Sequence, residues 1–467
     1  MIKKLVMICL VAFIAMIGSF HVSDSVSRAE LFKDFSVKDE KELAKEFEIL
    51  VKARLPIIED PVIKLYVQSV VERILKVVPP QPFNFETNVI YSPVLNAFAT
   101  PGGYVCVFSG LLINIEDEDS LAGILSHEIA HVTQRHIASR IDRSKYLSIG
   151  TLAAVVGALL AGGGDTSGAL LAGSMATSSA AMLSYGREDE SDADKFGLQY
   201  MLKAGYNPQG MAKAFQVLQS KSLGARADFP TYLSTHPNIN ARIATVNSFV
   251  RGLKSSQKDI KTDNTHFIRA KALAVAYYAD MRFADNYFSS KKTAYDYMGL
   301  GIVARKRNQI KQAKDYLQKA VELAPQDFLM NRELGRFYFD VGEFSSAKVY
   351  LEKALSLNPR DYMAVFFHAR LLDSENHVLE AEREYQKVLK YAPEDGEILN
   401  FYGRVLGRQG KEFDGYLQLA LAEIYKNNEG RAISWLKRAD SLAVSSGQKE
   451  QLKKAQTILA ERKKYWK

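Results

Sequence analysis

The chain has 467 residues, too many for one typical hydrophobic core, so two or more domains are expected. Its composition, 47% hydrophobic and 24% charged residues, is ordinary for globular protein, and its formal net charge of +8 is spread without a dense basic block, which argues against nucleic acid as a partner. The two cysteines, Cys9 and Cys106, exclude a disulfide framework and indicate no thiolate metal site.

The first segment predicts a secretory signal peptide. Lys3 and Lys4 precede an apolar run over residues 5–17, which is short for a membrane span. Residues 27–29 give a small-x-small cleavage site, so we expect residues 1–29 to be removed and the mature protein to be exported to the periplasm. The alternative is an uncleaved membrane anchor.

Two helices and a small β region come next. Ser36 with Asp39 predicts a capping box, and Asp60-Pro61 predicts the start of a second helix, because proline is favoured at the first helical position. Residues 83–91 and 104–108 then predict strands.

Between these strands lies an extended piece that is followed by a turn. It consists of Asn96, Ala97, Phe98 and Ala99. We interpret these four residues as substrate-binding, because an extended peptide can add to an edge strand through main-chain hydrogen bonds. The alternative is a core hairpin that does not contact substrate.

A short motif supplies the chemistry that organises the chain. His127 and His131 are four residues apart, and Glu128 follows the first of them. On a helix, residues four apart share one face, so both imidazoles can reach one zinc ion, and the glutamate is the expected general base. The acid-rich start at 117–120 predicts a helix that runs to about residue 143. His136, five residues after His131, is expected to point elsewhere as a structural or surface residue.

Residues 147–183 are rich in Ala, Gly and Leu, with a glycine run in the middle. Three interpretations remain for this segment: a membrane hairpin, a loop on a membrane surface, or a buried plug near the active site. We favour packing in a soluble or surface-associated form, because glycines interrupt both halves.

The charged segment that follows offers a third ligand. Glu188 and Asp192 are four apart, and a catalytic zinc site needs three protein ligands. We predict Glu188 as that ligand and Asp192 as a hydrogen-bond acceptor for a ligand histidine. The alternative is that these acids only solvate the start of a helix.

Two further residues complete the predicted site. His236, in a His-Pro turn, is expected at the open coordination position or the transition state, and Arg242 is expected to steady the developing oxyanion. Polar residues 251–264 predict a linker.

The second half of the chain repeats with a period of 34 residues. Small residues recur within both predicted helices of each unit, and a proline ends the unit. The recurring residues are Gly301, Gly335, Ala369 and Gly403 in the first helix, Ala313, Ala347 and Ala381 in the second, and Pro325, Pro359 and Pro393 at the end. This is the tetratricopeptide pattern, which stacks into a superhelix with a concave binding surface. The alternative is a rigid spacer.

The set of motifs resembles the HtpX and CAAX-prenyl-endopeptidase family of zinc metallopeptidases, and within it the periplasmic subgroup that carries tetratricopeptide repeats. The residues that carry the resemblance are those at 98–103, 110–112, 127–131, Glu188 with 192–194, 236–237 and Arg242. The resemblance implies His127, His131 and Glu188 as ligands of one zinc ion, with Glu128 as base. It further implies that Asp192 is the family's acidic residue one turn on, that His236 can cap the zinc, and that Arg242 lies near the scissile carbonyl.

Together these observations predict a mostly α protein with a small β-sheet, in which a zincin-like (gluzincin) domain precedes a tetratricopeptide α-solenoid. The expected boundaries are 1–29 for the signal peptide, 30–255 for the peptidase domain and 265–467 for the repeats. The expected function is zinc-dependent endoproteolysis of misfolded or stalled envelope and outer-membrane proteins, with the repeats docking substrates or assembly proteins. The alternative is a chaperone or assembly scaffold with latent, histidine-gated protease activity. A third hypothesis is a lipid-associated protein that is anchored through residues 147–183.

Overall fold

A computed structural model of the chain describes residues 35–139, 185–222, 232–290 and 292–466. The predicted fold class is confirmed, because helices dominate and the strands form one small sheet. The predicted signal peptide and the segment 147–183 lie outside the described residues. Within those residues, no helix has the length and apolar composition that a membrane span needs.

The first two helices begin where their capping residues predict. Helix α1 (Val37–Arg54) starts with the capping box of Ser36 and Asp39, whose side chains each bond to the other's backbone N–H. Helix α2 (Pro61–Leu75) starts at the predicted proline, and the Asp60 carboxylate accepts a hydrogen bond from the backbone N–H of Val62. Both carboxylates therefore satisfy N–H groups that a helix leaves unpaired.

A sheet of three short strands lies beside these helices. The strands are β1 (Glu86–Ile90), β2 (Ala97–Ala99) and β3 (Tyr104–Phe108), in the order β1-β3-β2. Strand β1 is parallel and β2 antiparallel to the fully buried β3. Strand β2 therefore lies at an edge of the sheet. Helix α3 (Ser109–Asn114) follows β3 directly.

Helix α4 (Glu118–Thr133) carries the histidine motif and is buried along nearly its whole length. The prediction that it continues to about residue 143 is wrong. The backbone leaves the helix at Arg135, which has a φ of 54°, and the Arg135 guanidinium bonds to Glu40 and to the carbonyl of Phe35. These contacts to the start of the domain hold the break in place.

Helices α5 (Arg187–Lys203) and α6 (Gln209–Ser222) pack against α4. Glycines make the approach possible, because a Cβ on Gly123 would lie 2.6 Å from the Met211 Cα and one on Gly197 would lie 3.2 Å from the backbone nitrogen of His127. The short helix α7 (Tyr232–Thr235) and helix α8 (Ile239–Gly252) complete this part of the chain.

The predicted linker is fastened to the start of α4. It contains the short helix α9 (Ser255–Lys258), and the Asn264 side-chain oxygen accepts a hydrogen bond from the backbone N–H of Glu118. The Thr262 hydroxyl donates to Asp119 at 2.6 Å. The segment that joins the two halves is thus tied to the helix that carries the motif.

The repeat half consists of helices that pack in antiparallel pairs. They are α10 (Thr265–Tyr278), α11 (Met281–Ser289), α12 (Ala294–Lys306), α13 (Ile310–Leu323), α14 (Phe328–Asp340), α15 (Phe344–Leu357), α16 (Tyr362–Ser374), α17 (Val378–Leu389), α18 (Gly396–Arg408), α19 (Glu412–Tyr425), α20 (Glu429–Leu442) and α21 (Ser446–Lys463). Helix α19 packs against both α18 and α20, so the final unit is offset from the period of 34. The small residue Gly335 faces Leu351 of the paired helix, where a Cβ would come within 2.9 Å.

The two halves share one hydrophobic core. Its buried apolar side chains extend from Ile58 to Val405. The fully buried Arg332 of α14 joins the halves through charge: its guanidinium lies 2.9 Å from Asp60 of the first half and 3.2 Å from Asp361 of the next repeat. The Tyr362 hydroxyl also donates to the carbonyl of Glu59.

Candidate metal centre

Three imidazoles and one carboxylate converge in a buried cluster at the centre of the first half. They belong to His127 and His131 of α4, Glu190 of α5, and His236, which directly follows α7. One ligand atom from each lies within 4.8 Å of the others, and all four residues are buried. Residues far apart in the chain therefore offer their lone pairs to one small volume.

The separations match those of a tetrahedral metal site. The Nε2 atoms of His127 and His131 are 3.0 Å apart, and His127 Nε2 lies 3.3 Å from His236 Nδ1. Glu190 Oε1 lies 2.9 Å from His236 Nδ1 and 3.5 Å from His131 Nε2. Ligand atoms at about 2.0 Å from a tetrahedral zinc ion are roughly 3.3 Å from one another, so this donor set fits zinc.

The structure corrects the predicted third ligand. Glu188 is exposed, whereas Glu190 is buried in the cluster. Helix α5 turns a face with the apolar residues Ala193 and Leu198 toward the core, and Glu190 lies on that face. Glu188 is two residues earlier and points to solvent. The i, i+4 spacing used for Glu188 and Asp192 holds equally for Glu190 and Asp194, and the apolar stripe was the signal that distinguishes them.

The second acid is corrected in the same way. Asp192 is exposed, and Asp194 is the buried residue whose Oδ1 lies 2.9 Å from His127 Nδ1. His127 Nε2 faces the cluster, while its Nδ1 lies beside Asp194 Oδ1 and 3.0 Å from Arg242 Nη2, so these two side chains orient the ring with Nε2 toward a metal.

Arg242 reaches the site from α8 and is held between two acids. Its Nε and Nη2 atoms donate to Asp194 at 2.9 and 2.7 Å, and its Nη1 lies 2.7 Å from Glu190. The ring of Phe215 covers the guanidinium at 4.2 Å. These contacts hold Arg242 against Asp194 and Glu190, and its role at the oxyanion stays a prediction.

His136 and two tyrosines also lie at the site, although the sequence indicated none of the three as a site residue. His136 Nδ1 lies 2.9 Å from His131 Nδ1, so the expectation that His136 points elsewhere is wrong. The break at Arg135 returns the chain toward His131. Tyr185 stacks on His131 at 3.6 Å, and Tyr232 stacks on His236 at 4.2 Å. No spacing rule indicates these contacts, because they depend on how the helices assemble.

Glu128 is buried directly beside the cluster. Its nearer carboxylate oxygen lies 3.6 Å from His236 Nε2, and in the described part of the structure neither oxygen has a hydrogen-bond partner. Burial, with the charge of Glu190 adding to it, raises the pKa of Glu128 to about 7. A carboxyl group poised near neutral pH suits a general base.

The protonation states of His127, His131 and Glu190 favour metal binding. Burial lowers the pKa of His131 to about 3, and burial together with the charge of Arg242 lowers the pKa of His127 well below its usual value. Burial opposes ionisation of Glu190, but His236 and His131 beside it hold the pKa of its carboxyl below the usual range. Neutral imidazoles and an ionised carboxylate are the forms that bind zinc.

The four predicted substrate-binding residues lie on β2 and just before it. Phe98 pairs with Cys106 of β3, while the backbone groups of Ala97 and Ala99 alternate toward the other side of the strand. The side chains of Asn96, Ala97 and Ala99 are buried. Strand β2 also contacts α4. An edge strand therefore lies beside the helix that carries the motif.

Two protein families match separate parts of the chain. The sequence model of the family described as "Peptidase family M48" matches residues 62–250, and the one described as "Tetratricopeptide repeat" matches residues 297–327 and 333–361. All the residues of the buried cluster lie within the first match.

The relatives cover the same part of the chain. A beta-barrel assembly-enhancing protease of Yersinia pestis is 30% identical over 201 residues, which are 42% of this chain and 40% of that protein. The mitochondrial metalloendopeptidase OMA1 of Schizosaccharomyces pombe is 32% identical over 186 residues, or 40% of this chain and 52% of that protein. The chain thus spans about half or less of the length of these relatives.

The solved structure MamA MSR-1 C2 aligns with 34% of this chain and 95% of its own, with 18% identity and a TM-score of 0.29, which is too low to add to the assignment. The assignment rests on the family matches and on the relatives. Residues 62–250 are therefore a domain of peptidase family M48, and tetratricopeptide repeats follow it in the same chain.

Proposed function

We propose that this protein is a zinc-dependent endopeptidase of the bacterial cell envelope, which degrades or processes misfolded or stalled envelope and outer-membrane proteins. The observation that carries the proposal is the buried convergence of His127, His131 and Glu190 beside Glu128, whose carboxylate lies next to the cluster. The names of the relatives, a beta-barrel assembly-enhancing protease and a metalloendopeptidase, support the substrate class and the reaction.

His127, His131 and Glu190 would hold one zinc ion per chain, and the bound ion would polarise water and the peptide carbonyl. Asp194 orients His127 through its Nδ1, and Arg242 fixes Asp194 and Glu190 in turn. The burial of the cluster strengthens each of these interactions, because few water molecules screen them.

Glu128 performs the proton transfers. Its carboxylate accepts a proton from the attacking water as the carbon–oxygen bond forms. It then donates that proton to the amide nitrogen as the carbon–nitrogen bond breaks, so that the products are a carboxylic acid and an amine. The substrate would lie in an extended form along β2, bound by the outward main-chain groups of Ala97 and Ala99.

The test replaces Glu128 by Gln and follows cleavage of an unfolded protein by the purified full chain with zinc. General acid–base catalysis typically contributes about 100- to 10,000-fold, so we expect a loss of that size with zinc binding retained. Glu188→Gln is the matched control, since this exposed residue lies outside the cluster. Cleavage by Glu128→Gln at the wild-type rate would contradict the mechanism.

The position of His236 favours a second candidate function, a chaperone or assembly scaffold with latent proteolysis. Its Nδ1 lies 3.3 Å from His127 Nε2, within the donor set itself, so His236 can serve as a fourth protein ligand. A fourth protein ligand leaves no position for the water that Glu128 must activate.

The comparison of His236→Ala with the wild type separates the two candidates. If His236 gates the site, the variant cleaves unfolded protein faster than the wild type at equal zinc occupancy. An unchanged cleavage rate would show that His236 does not gate the site. If Glu128→Gln still corrects a defect in envelope assembly in cells, the protein acts mainly as a scaffold and not as a protease.

The location and partners of the protein follow from the same proposal. We place it in the periplasm, where the repeats bind polypeptide substrates or assembly proteins of the outer membrane. Whether residues 147–183 contact the membrane surface is tested by carbonate extraction of the mature protein, which releases a protein held only by its surface contacts.

A further inference from the structure

A cavity lies between the two halves of the protein, and none of the residues that line it belongs to the metal centre. Its volume of about 460 Å³ is within the range of sites for small organic ligands, roughly 300–1,000 Å³. The first half contributes the end of α1 and the segment that follows it, residues 52–57 and Glu59. The repeats contribute the start of α18, the end of α19 and Arg462 of α21. We call this space the junction cavity.

Arg462 is a buried charge in the wall of the junction cavity, with an exposure of 5%. Its Nη2 atom donates to the carbonyl of Lys52 at 2.8 Å and, at 3.5 Å, to the side-chain oxygen of Asn427. The guanidinium lies 5.1 Å from the ring of Tyr425. Its Nε atom is buried and donates no hydrogen bond within the described residues. Among the same residues, no ion pair includes Arg462.

A buried guanidinium without a carboxylate needs an explanation, because an ion that leaves water loses hydration that a counter-ion normally replaces. The carbonyl groups at the end of α1 carry a partial negative charge, which offsets the charge of Arg462 only in part. Arg242 and Arg332 are buried as well, and each of them contacts at least two carboxylates. Arg462 therefore lacks the kind of partner that these two arginines have.

The three acidic side chains that line the junction cavity already have other partners. Glu59 lies 2.6 Å from Lys64, and Glu394 lies 3.3 Å from Lys52. Asp395 caps α18, where its carboxylate accepts hydrogen bonds from two backbone N–H groups at 2.8 and 3.1 Å. None of the three therefore neutralises Arg462.

The junction cavity carries a small excess of positive charge. The three acids stand against four basic side chains in its lining, which leaves a formal excess of one positive charge; the basic residues are Lys52, Arg54, Lys426 and Arg462. A ligand with one negative charge would balance this excess. A second negative charge would be repelled by the acids on the same walls.

We propose that the junction cavity binds a small organic monocarboxylate. The guanidinium of Arg462 binds the carboxylate, because the two planar groups match in shape and in charge. The half-buried side chains of Leu55 and Ile57, together with the ring of Tyr425, supply the apolar surface that covers the body of the ligand. Since both halves of the protein line the cavity, the bound ligand also stabilises the contact of α21 with α1.

The experiment titrates the full chain with benzoate and follows the ligand signals by NMR. Benzamide, which has the same shape and no charge, and inorganic phosphate are titrated in parallel. We expect benzoate to bind about 10- to 100-fold more tightly than benzamide, the range for a hydrogen bond to a charged group, and more tightly than phosphate. Saturating benzoate should also raise the unfolding temperature, because it binds only the folded protein. Equal affinities for benzoate and benzamide, or tighter binding of phosphate, would overturn the proposal.

Lys426→Glu locates the binding without risk to the core, because Lys426 is exposed. The change turns the excess of one positive charge into an excess of one negative charge, so benzoate should bind at least about 10-fold more weakly. Lys453→Glu is the matched control, since Lys453 is exposed on α21 and does not line the cavity. Arg462→Gln should weaken benzoate by about 10- to 100-fold. If Arg462→Gln does not fold, Lys426→Glu decides the question.

The same variants separate the junction cavity from the metal centre, where a carboxylate can bind zinc. Benzoate bound at the metal centre would have the same affinity in Lys426→Glu as in the wild type. That result, or the lack of any saturable binding of benzoate, would overturn the proposal. Cleavage of unfolded protein plays no part in this test, so the outcome holds whether or not the proposed endopeptidase activity is found.

Discussion

Among the residues that the structure describes, two buried arginines bind carboxylates, and their surroundings differ. Arg242 binds Asp194 and Glu190 at the metal centre, and Arg332 binds Asp60, Glu333 and Asp361 where the two halves meet. In the second group, no side-chain atom of the four residues is buried without a hydrogen bond. Near Arg242, both oxygens of the buried Glu128 lack a hydrogen bond within the described ranges.

The difference distinguishes a group of charges that joins the two halves of the protein from a group of polar atoms that is arranged to bind a ligand. Buried polar groups in folded proteins are nearly always hydrogen-bonded, and an exception calls for an explanation. Around Arg332 the charges satisfy one another, so that group joins the halves. At the metal centre the donor atoms converge and the Glu128 oxygens make no hydrogen bond, which a zinc ion and its water would explain.

Replacing Arg332 by Met should have the largest effect. The change leaves three carboxylates buried without their cation, which costs about 3–5 kcal/mol of unfolding free energy. Urea denaturation measures this loss. Arg307→Met is the control: its pair with Asp285 lies at the surface, where water screens the two charges, so the change should leave the free energy of unfolding nearly unchanged. A loss below about 1 kcal/mol for Arg332→Met would show that the junction does not depend on this arginine.

Replacing Asp194 by Asn should weaken the metal centre without dismantling it. The amide no longer accepts the His127 Nδ1 proton as a charged group, and loss of such an outer partner typically costs about 10- to 100-fold in metal affinity. Competition with a chromophoric chelator measures the zinc affinity. Asp192→Asn is the matched control. Equal losses of zinc affinity in both variants would contradict the specific role of Asp194.

The third prediction concerns pH. In the metal-free protein the pKa of Glu128 is about 7, whereas the unfolded chain has the usual value of about 4.3. Between these values the folded state binds more protons than the unfolded state, so stability falls as pH rises. The fall should be on the order of 3 kcal/mol, because each unit of pKa difference corresponds to about 1.4 kcal/mol. Glu128→Gln should remove it, as measured by the difference between the two unfolding curves across pH 4 to 8, roughly the window these pKa values set. Parallel curves would contradict the assigned pKa.

Much of the fold followed from local patterns. The capping residues Ser36 and Asp60 placed two helix starts, and the small residues of the 34-residue period placed the paired helices. Each depends on neighbours in the chain, because a cap or a helix pair is made within a few turns. The end of α4 did not follow, since the break at Arg135 depends on Glu40, far away in sequence.

The sequence by itself determined that His127 and His131 share one helix face with Glu128 beside them, and that repeats follow. A spacing of four decides that much, because helical geometry is local. Only the tertiary structure decided that Glu190 and Asp194, and not Glu188 and Asp192, face the histidines. Both pairs have the same spacing, and the choice rests on which side of α5 packs against α4. The positions of His236, His136 and Arg242 were decided in the same way, by the assembly of helices that the chain brings together from afar.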